Sequence, residues 1–336
     1  MATTELDFDP TDWKATVGGI DIPWTQLEVT FEQFHVPGSF AIQAPLEDVY
    51  LPQVLADQSP EVVIRYQGKE FFVGTLDTTR AAGDDGDAID DEPLDLITFT
   101  GRDLSGKLIK AKVVEAVPQN LTASELVKKY CADVGLTDFS RITPTSENVG
   151  YFIRHQYSVI TQLLNKHNVI FDLAELEHYL FRVWKRQPFF GPQPEPTRLL
   201  RMWRRQEFNR FEWSKSHNNE DVKIKVLSWT AKKKRISATA GNGSLVIQVV
   251  RPGLTALQAK ALANRLLEEA QRGLLAITIP NVPGDPTVDD VVVAFNVVGI
   301  AEGIDQVYWP SQIKHVVTQD SHVMDLNLYN AKRITA

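Results

Sequence analysis

Alternation with period two dominates the first hundred residues. Leu27, Val29 and Phe31 alternate with Glu28, Thr30 and Glu32, which predicts a strand with one face buried. Pro37-Gly38 marks a turn, and Phe40 and Ile42 then resume the alternation. Val62 to Tyr66 and Phe71 to Val73 flank Gln67-Gly68-Lys69, the pattern of a hairpin. Residues 83–92, GDDGDAIDDE, read as an acidic loop, and Leu94 to Phe99 as the strand that follows it.

The period changes in the middle of the chain. In LTASELVKKYCADVGL, Thr122 and Glu125 form a capping box and Gly135 is a stop signal. Leu126, Val127, Tyr130, Cys131 and Val134 fall on one face of the helix between them. A second helix is predicted over Ser158 to His167, with Ile160, Leu163, Leu164 and His167 on one side. VIFDLAELEHYLFRVWKR after it reads as two short strands around a polar turn. Residues 186–198, RQPFFGPQPEPTR, carry four prolines and a glycine and predict a long loop or a domain boundary.

The last third returns to period two. Val222, Ile224 and Val226 alternate with Lys223 and Lys225, and Leu245, Ile247 and Val249 with Val246 and Gln248. Thr255 and Gln258 make another capping box, opening a helix of about 255–272 before Gly273. Strand-like runs follow at 288–298, 312–318 and 322–329. The fold class expected is α+β, mainly β: a first β region over 1–115, a mixed α/β region over 116–200 ending in the Pro-rich loop, and a second β region over 201–336 with the helix inserted. The two β regions are similar in size, as two copies of one barrel plan would be.

Composition narrows the class. With 336 residues the chain has room for roughly two domains. Its 43% hydrophobic content supports a soluble core that needs no disulfide. Cys131 is the single cysteine, so no intramolecular disulfide forms, which suits assembly in a reducing compartment. The N-terminus MATTELDFDP lacks the basic and apolar regions of a secretory signal. Val291 to Ala301, interrupted by Asn296, falls well short of the ~20 residues of a membrane helix. A net charge of −8 argues against broad DNA-backbone binding.

Candidate chemistry is sparse. Gly101 to Lys107, GRDLSGK, fits the G-x-x-x-x-G-K core of a phosphate loop. Leu108 stands where that loop needs Ser or Thr, and LIKAKVVEAVP, with β-branched valines and Pro118, is a poor helix to cradle phosphate. The acidic positions Asp84, Asp85, Asp87, Asp90, Asp91 and Glu92 lack EF-hand spacing and read as a solvated loop. Seven histidines form no H-E-x-x-H, and His155 and His167 read as structural or surface residues. There is no G-x-S-x-G either, so no catalytic, cofactor or metal residue is assigned. Two basic patches remain. Arg198, Arg201, Arg204, Arg205 and Arg210 are interleaved with Trp203 and Phe208, and Lys232 to Arg235 follow Trp229. Such patches bind nucleic acid or an acidic protein surface; the net negative charge favours the protein partner for the arginine cluster. For the lysine run a solvated face is an equal reading.

Gly101-Arg102-Asp103-Leu104, placed just after a strand, resembles a segment of phage tail hub proteins: the late-control protein family, its relatives in Mu-like phages, and the hub module of type VI secretion spikes. Other pieces follow in the family's order. FFVGTLDTT (71–79) resembles the strand before that segment, LTASELVKKYCADVGL and YSVITQLLNKHNVIFDL the middle helices, and NEDVKIKVLSW the opening of the second barrel. TALQAKALANRLLEEAQRG is similar to the helix inserted there, and QVYWPSQIKHVVTQDSHVMDLNL to the closing strands. The Pro-rich segment 186–198 and its arginines match no motif of the family.

The resemblance spans roughly residues 10–332 and implies two tube-like antiparallel β-barrels flanking the middle domain. It implies a homotrimer whose six barrels form a ring between a hexameric tail tube and a trimeric spike, with a channel through which DNA passes without specific binding. The spike is expected as a separate protein, because the chain ends soon after the last barrel strands. Tail tube protein, baseplate wedge proteins and tape measure protein are the further partners implied; cofactors and membrane are not. The place implied is the virion tail tip, assembled in the host cytoplasm. A tail-tip cell-wall hydrolase with a β-rich binding domain is the alternative. On the hub reading Gly101 serves backbone geometry, Leu104 is buried, and Arg102 and Asp103 make local polar contacts or caps.

Overall fold

Period-two patterning becomes buried strand where it meets a second layer. A computed structural model describes residues 8–49, 51–54, 59–82, 96–113, 120–149, 164–216, 221–229, 234–271 and 275–330. The first β region contains β1 (Trp13–Val17), β2 (Ile20–Ile22), β3 (Gln26–Glu32), β4 (Ser39–Pro45), β5 (Glu61–Tyr66), β6 (Lys69–Ala82) and β7 (Leu96–Asp103), with one helical turn, α1 (Leu51–Val54), between β4 and β5. In β3, Leu27, Val29 and Phe31 are 1%, 2% and 5% exposed, and each such burial contributes roughly 1.5–3 kcal/mol. Gln67 and Gly68 both take positive φ, giving the tight β5–β6 turn that matches strand twist.

The middle contains α2 (Ser105–Lys110), α3 (Ala123–Ala132), α4 (Lys166–Glu177), β8 (Leu180–Trp184) and β9 (Gln187–Gly191). Helix α3 starts at the expected capping box: Thr122 accepts from the Glu125 amide, and Glu125 accepts from the Thr122 amide at 2.8 Å. The remainder comprises β10 (Leu199–Trp203), β11 (Glu212–Lys215), β12 (Val222–Trp229), β13 (Arg235–Ala240), β14 (Leu245–Val250), α5 (Ala256–Gln271), β15 (Leu275–Pro283), β16 (Ala294–Val298), β17 (Gln306–Thr318) and β18 (His322–Asn330). The Thr255–Gln258 capping box opens α5, with the Thr255 amide donating to Gln258 at 2.9 Å.

Strands from both β regions lie in one sheet of order β11-β15-β18-β17-β3-β4-β7-β6-β5-β1-β2, with β16 pairing β17 and β10 pairing β16. Its pairings are antiparallel except β10–β16. The join is β3 against β17, from Glu32↔Gln312 to Gln26↔Thr318. Gln312 donates to Glu32 at 2.6 Å, and Lys314 meets Glu28 at 2.9 Å. Behind the join, Trp13, Phe31 and Phe71 enclose His315 and His322. A backbone carbonyl can only accept, so the 2.9 Å contact to Val288 O makes His315 Nε2 the protonated nitrogen. Its Nδ1 then accepts from His322 Nε2–H at 3.0 Å. Burial holds both rings neutral, with pKa values pushed down to about 3 for His315 and about 4 for His322.

Side-chain packing forms two cores. One fills the large sheet, from Trp13 to Phe99 and from Met202 to Leu328. The other joins α3, α4 and the β8–β9 hairpin to the separate sheet β13-β12-β14 and α5. Leu104 and Leu108, after β7, belong to this second core.

Three expectations are corrected. Residues 158–163 of the predicted second helix lie outside the described residues, but its last residue, His167, sits near the start of α4, and VIFDLAELE is helix rather than strand. Asn165 caps α4 by accepting from the Asn168 amide at 2.8 Å, and Val169, Ile170, Leu173 and Ala174 are buried at helical spacing. Only LFRVW is strand, and it pairs with QPFFG inside the supposed Pro-rich loop. Pro188 and Phe190 are buried there; β9 is laddered with β8 and bridged on its other edge only at Phe190, to Ile142, so the proline at 188 costs no bond on that side. Finally, β14 is a strand as its alternation predicts, yet its aliphatic residues are mostly exposed.

Candidate assembly interface

Glycine spacing sets the first geometry. Gly74 and Gly101 lie near each other across the β6–β7 ladder. A Cβ on Gly74 would stand 2.2 Å from Arg102 O, and one on Gly101 would stand 2.1 Å from Thr75 O and 2.7 Å from the Phe40 ring. The glycines therefore permit a backbone approach that any side chain would push apart. Asp103 then turns inward. Its Oδ2 accepts from the Gly38 amide at 2.8 Å, and its Oδ1 accepts from the Ser105 amide at 2.9 Å and from the Ser105 hydroxyl. Burial raises its pKa to about 6, against the opposing pull of these hydrogen bonds. Arg102 points the other way, to Asp77 at 2.6 Å, where Lys110 joins at 2.8 Å. Leu104 is 2% exposed. Leu108 is fully buried and the helix after it has only six residues. The segment therefore fastens the large sheet to the second core.

The Pro-rich segment opens with a basic hairpin that sequence reasoning missed. Trp184↔Gln187 closes a two-residue turn, with Lys185 in the left-handed region, which projects Lys185 and Arg186 from the tip. Arg186 reaches Glu61 at 2.7 and 2.9 Å and Glu70 at 3.1 Å, and this guanidinium holds the Glu61 carboxyl below its ordinary value. Lys185 meets Asp289 at 2.8 Å, Arg182 pairs with Asp290, and Trp184 Nε1 donates to Asp289 O at 3.0 Å. The hairpin thus ties the first β region to the loop before β16. The acids were visible in the sequence as Asp289-Asp290, but nothing local linked them to residues about a hundred positions earlier.

The predicted arginine cluster lies on a different surface. Strand β10 pairs only with β16, and β11 only with β15, so both are free edges among the described residues. Met202 and Phe208 anchor the segment in the core. Between them Arg205 takes φ 68°, the Arg205 amide donates to Phe208 O at 2.7 Å, and Trp203 N–H donates to Glu207 at 2.6 Å. This tight turn directs the arginines outward. Arg201 lies over the Trp203 ring at 5.1 Å and Arg204 over the Phe211 ring at 5.0 Å. Arg198 donates to Thr287 Oγ1 at 2.7 Å and to Thr287 O at 2.9 Å. Arg201, Arg204, Arg205 and Arg210 have no carboxylate partner among the described residues. Trp203 and Trp213 are 38% and 51% exposed beside them. Along this one segment Arg201, Arg205 and Arg210 are exposed, while Arg198 and Arg204 are half-buried against Thr287 and Phe211. Of the second basic patch, only Lys234 and Arg235 lie within the described residues.

Among the described residues no group of three or more His, Cys, Asp or Glu is placed to hold a metal. Cys131 is buried, which pushes its thiol up to about 12 and leaves it unreactive. No described helix is long and apolar enough to cross a membrane. The acidic residues 84–92 lie outside the described residues.

No family model matches the sequence, and no curated protein is detectably similar to it. Fold comparison is decisive instead. A tail protein from Neisseria meningitidis aligns with a TM-score of 0.71 at 14% identity, covering 96% of this chain and 97% of that one. The 43 kDa tail protein of prophage MuSo2 from Shewanella oneidensis aligns at 0.67 and 13% identity, over 94% and 96%. The chain has a phage tail-protein fold. The same tail-protein fold is found in an Escherichia coli component of the type VI secretion system described as structurally similar to the T4 bacteriophage tail proteins gp27 and gp5. It aligns at 0.60 and 9% identity, over 96% of this chain and 78% of that one. At these identities the likeness lies in the path of the chain, not in shared side chains.

Proposed function

We propose that the protein is a structural hub at the tip of a phage tail or a related injection machine. The observation that carries this reading is the tail-protein fold, matched over 96% of the chain and so including both β regions. On this reading each β region is one tube-like barrel, with the division at residues 115 and 200 marking the middle domain. Three copies contribute six barrels, and the ring adapts a hexameric tail tube to a trimeric spike. Work of this kind is positional: it needs rigid joints rather than reacting groups. The β3–β17 join and the basic hairpin suit it, because both hold distant parts of the chain in fixed relation. A net charge of −8 per chain suits a channel along which DNA slides without sticking.

The arginine ribbon is the surface we assign to an acidic neighbour in the assembly, with tail tube, spike and baseplate wedge proteins as the classes of partner. Phosphate-backbone binding is the weaker assignment, given the chain's net charge. Co-expression with the tail tube and spike proteins of the same phage tests the reading. A stoichiometric complex containing all three is the expected result; failure to co-purify with either contradicts it.

A further inference from the structure

Two glycines pin the turn that enters β14, with one asparagine between them. Gly241 takes φ 77°, and a Cβ on it would stand 2.4 Å from Val222 O. A Cβ on Gly243 would stand 2.1 Å from the Asp221 carbonyl carbon and 2.2 Å from its oxygen. Packing of the turn against the start of β12 therefore demands glycine at both positions. Asn242 between them is exposed. Its carboxamide and the Gly243 amide have no hydrogen-bond partner among the described residues.

Asparagine is a chemically labile residue, most of all where the next main-chain nitrogen can attack its side chain unhindered. Every other asparagine in the chain is followed by a residue with a side chain, which hinders that attack; Asn242 alone precedes glycine. In the reaction the Gly243 nitrogen gives up its proton and attacks Asn242 Cγ. The new N–C bond closes a cyclic imide as the Cγ–Nδ2 bond breaks, and Nδ2 leaves as ammonia with the proton. Water then reopens the ring. Cleavage at Cγ gives aspartate; cleavage at the main-chain carbonyl of residue 242 gives isoaspartate, with the chain running through Cγ. Water is the only co-reactant, and nothing is oxidised or reduced. The step needs an exposed asparagine, an unbonded nitrogen and no Cβ on the following residue, and the turn supplies all three.

We propose that Asn242-Gly243 is a site of spontaneous deamidation, and that isoaspartate formed there unfastens the start of β14 from β12. The inference stands apart from the hub reading and needs no partner. The fastening is local. The Leu245 amide donates to Asp221 O at 3.1 Å, and the Ser244 hydroxyl donates to the Asp221 carboxylate. Val222↔Leu245 is the first pair of the β12–β14 ladder that follows. Isoaspartate inserts an extra carbon into the main chain just before Gly243, which has no room to move toward Asp221. Both products also add a carboxylate to a turn that the Asp221 carboxylate already holds, and like charges in one turn repel. Loss of ammonia is irreversible, so the fraction converted grows with the age of the molecule.

The test is ageing of the purified full chain at pH 7 and pH 8, for the wild type and Asn242→Ser, followed by mass mapping of the tryptic peptide 236–260 and hydrogen exchange at residues 245–247. Asn242 is the one asparagine of that peptide. In the wild type it is expected to lose ammonia and gain water, with isoaspartate exceeding aspartate. Conversion should run about tenfold faster at pH 8 than at pH 7, because the attacking nitrogen must first be deprotonated. Amides 245–247 of the converted molecules are expected to exchange at least about tenfold faster than before ageing. Asn242→Ser should show neither change. A wild type that stays intact while folded, and converts only once unfolded in denaturant, overturns the proposal. Conversion that leaves exchange at 245–247 unaltered overturns the unfastening of β14.

Discussion

Two basic segments lie within thirty residues of each other and have opposite fates. In the β8–β9 hairpin, Arg182, Lys185 and Arg186 each meet a carboxylate of the same chain. In the β10–β11 ribbon, Arg201 and Arg204 lie over rings, and they and Arg205 and Arg210 meet no carboxylate among the described residues. The difference teaches that a cluster of arginines in a sequence does not say what it is for. Neutralised in place, the charge is a joint; left over, it is a surface. Burial follows the division only in part: the Arg182 and Asp290 side chains are 10% and 13% exposed and Arg201, Arg205 and Arg210 are exposed, but Arg186 of the hairpin is 46% exposed and Arg204 of the ribbon is half-buried.

Breaking the joint gives the largest effect. Asp290→Ala leaves a buried guanidinium without its partner and is expected to cost about 3 kcal/mol in a denaturant melt. A cost below about 1 kcal/mol would show that Arg182 finds water, and the joint would lose its structural claim. Acid should loosen the seam beside it. His315 and His322 are neutral when folded, with pKa values near 3 and 4, and would take up protons near 6.5 when unfolded. The unfolded state therefore binds more protons as pH falls. Stability drops from about pH 6.5 downward and levels off near pH 4 to 3. Thermal melts across this range in wild type and His315→Leu check it; the early part of the acid loss should shrink in the variant. Arg186→Ala removes pairs that are partly exposed on both sides, and its cost should stay within about 1 kcal/mol. Smallest of all on the fold is Arg201→Glu with Arg204→Glu, expected within about 0.5 kcal/mol of wild type. Its effect should be on assembly, with binding to the acidic partner weakened at least about tenfold. Equal assembly at equal stability would break the comparison.

Local signals were legible where chemistry and conformation sit within a few residues. Thr122 with Glu125 and Thr255 with Gln258 announced two helices, and Leu27, Val29 and Phe31 announced a buried strand face. Helix α4 was hidden because Val169, Ile170 and Phe171 favour strands, and only the distant packing of the second core overrides that preference. The β8–β9 hairpin was hidden by the prolines around it. The arginine ribbon was legible as a cluster, but its freedom from carboxylates was not, because pairings such as Arg186 to Glu61 and Arg182 to Asp290 are decided across long sequence gaps. Alternation in β14 revealed a strand but not its exposure, since a period of two says which residues share a face and not whether anything covers it.

The central claim is that this fold is used as a three-fold hub. Electron microscopy of the purified full-length protein, averaged without imposed symmetry, tests it most directly. The account predicts a ring of three copies with pseudo-six-fold β density around an open central channel. A monodisperse monomer or a two-fold dimer without a channel, at the concentrations where tail proteins assemble, would contradict it.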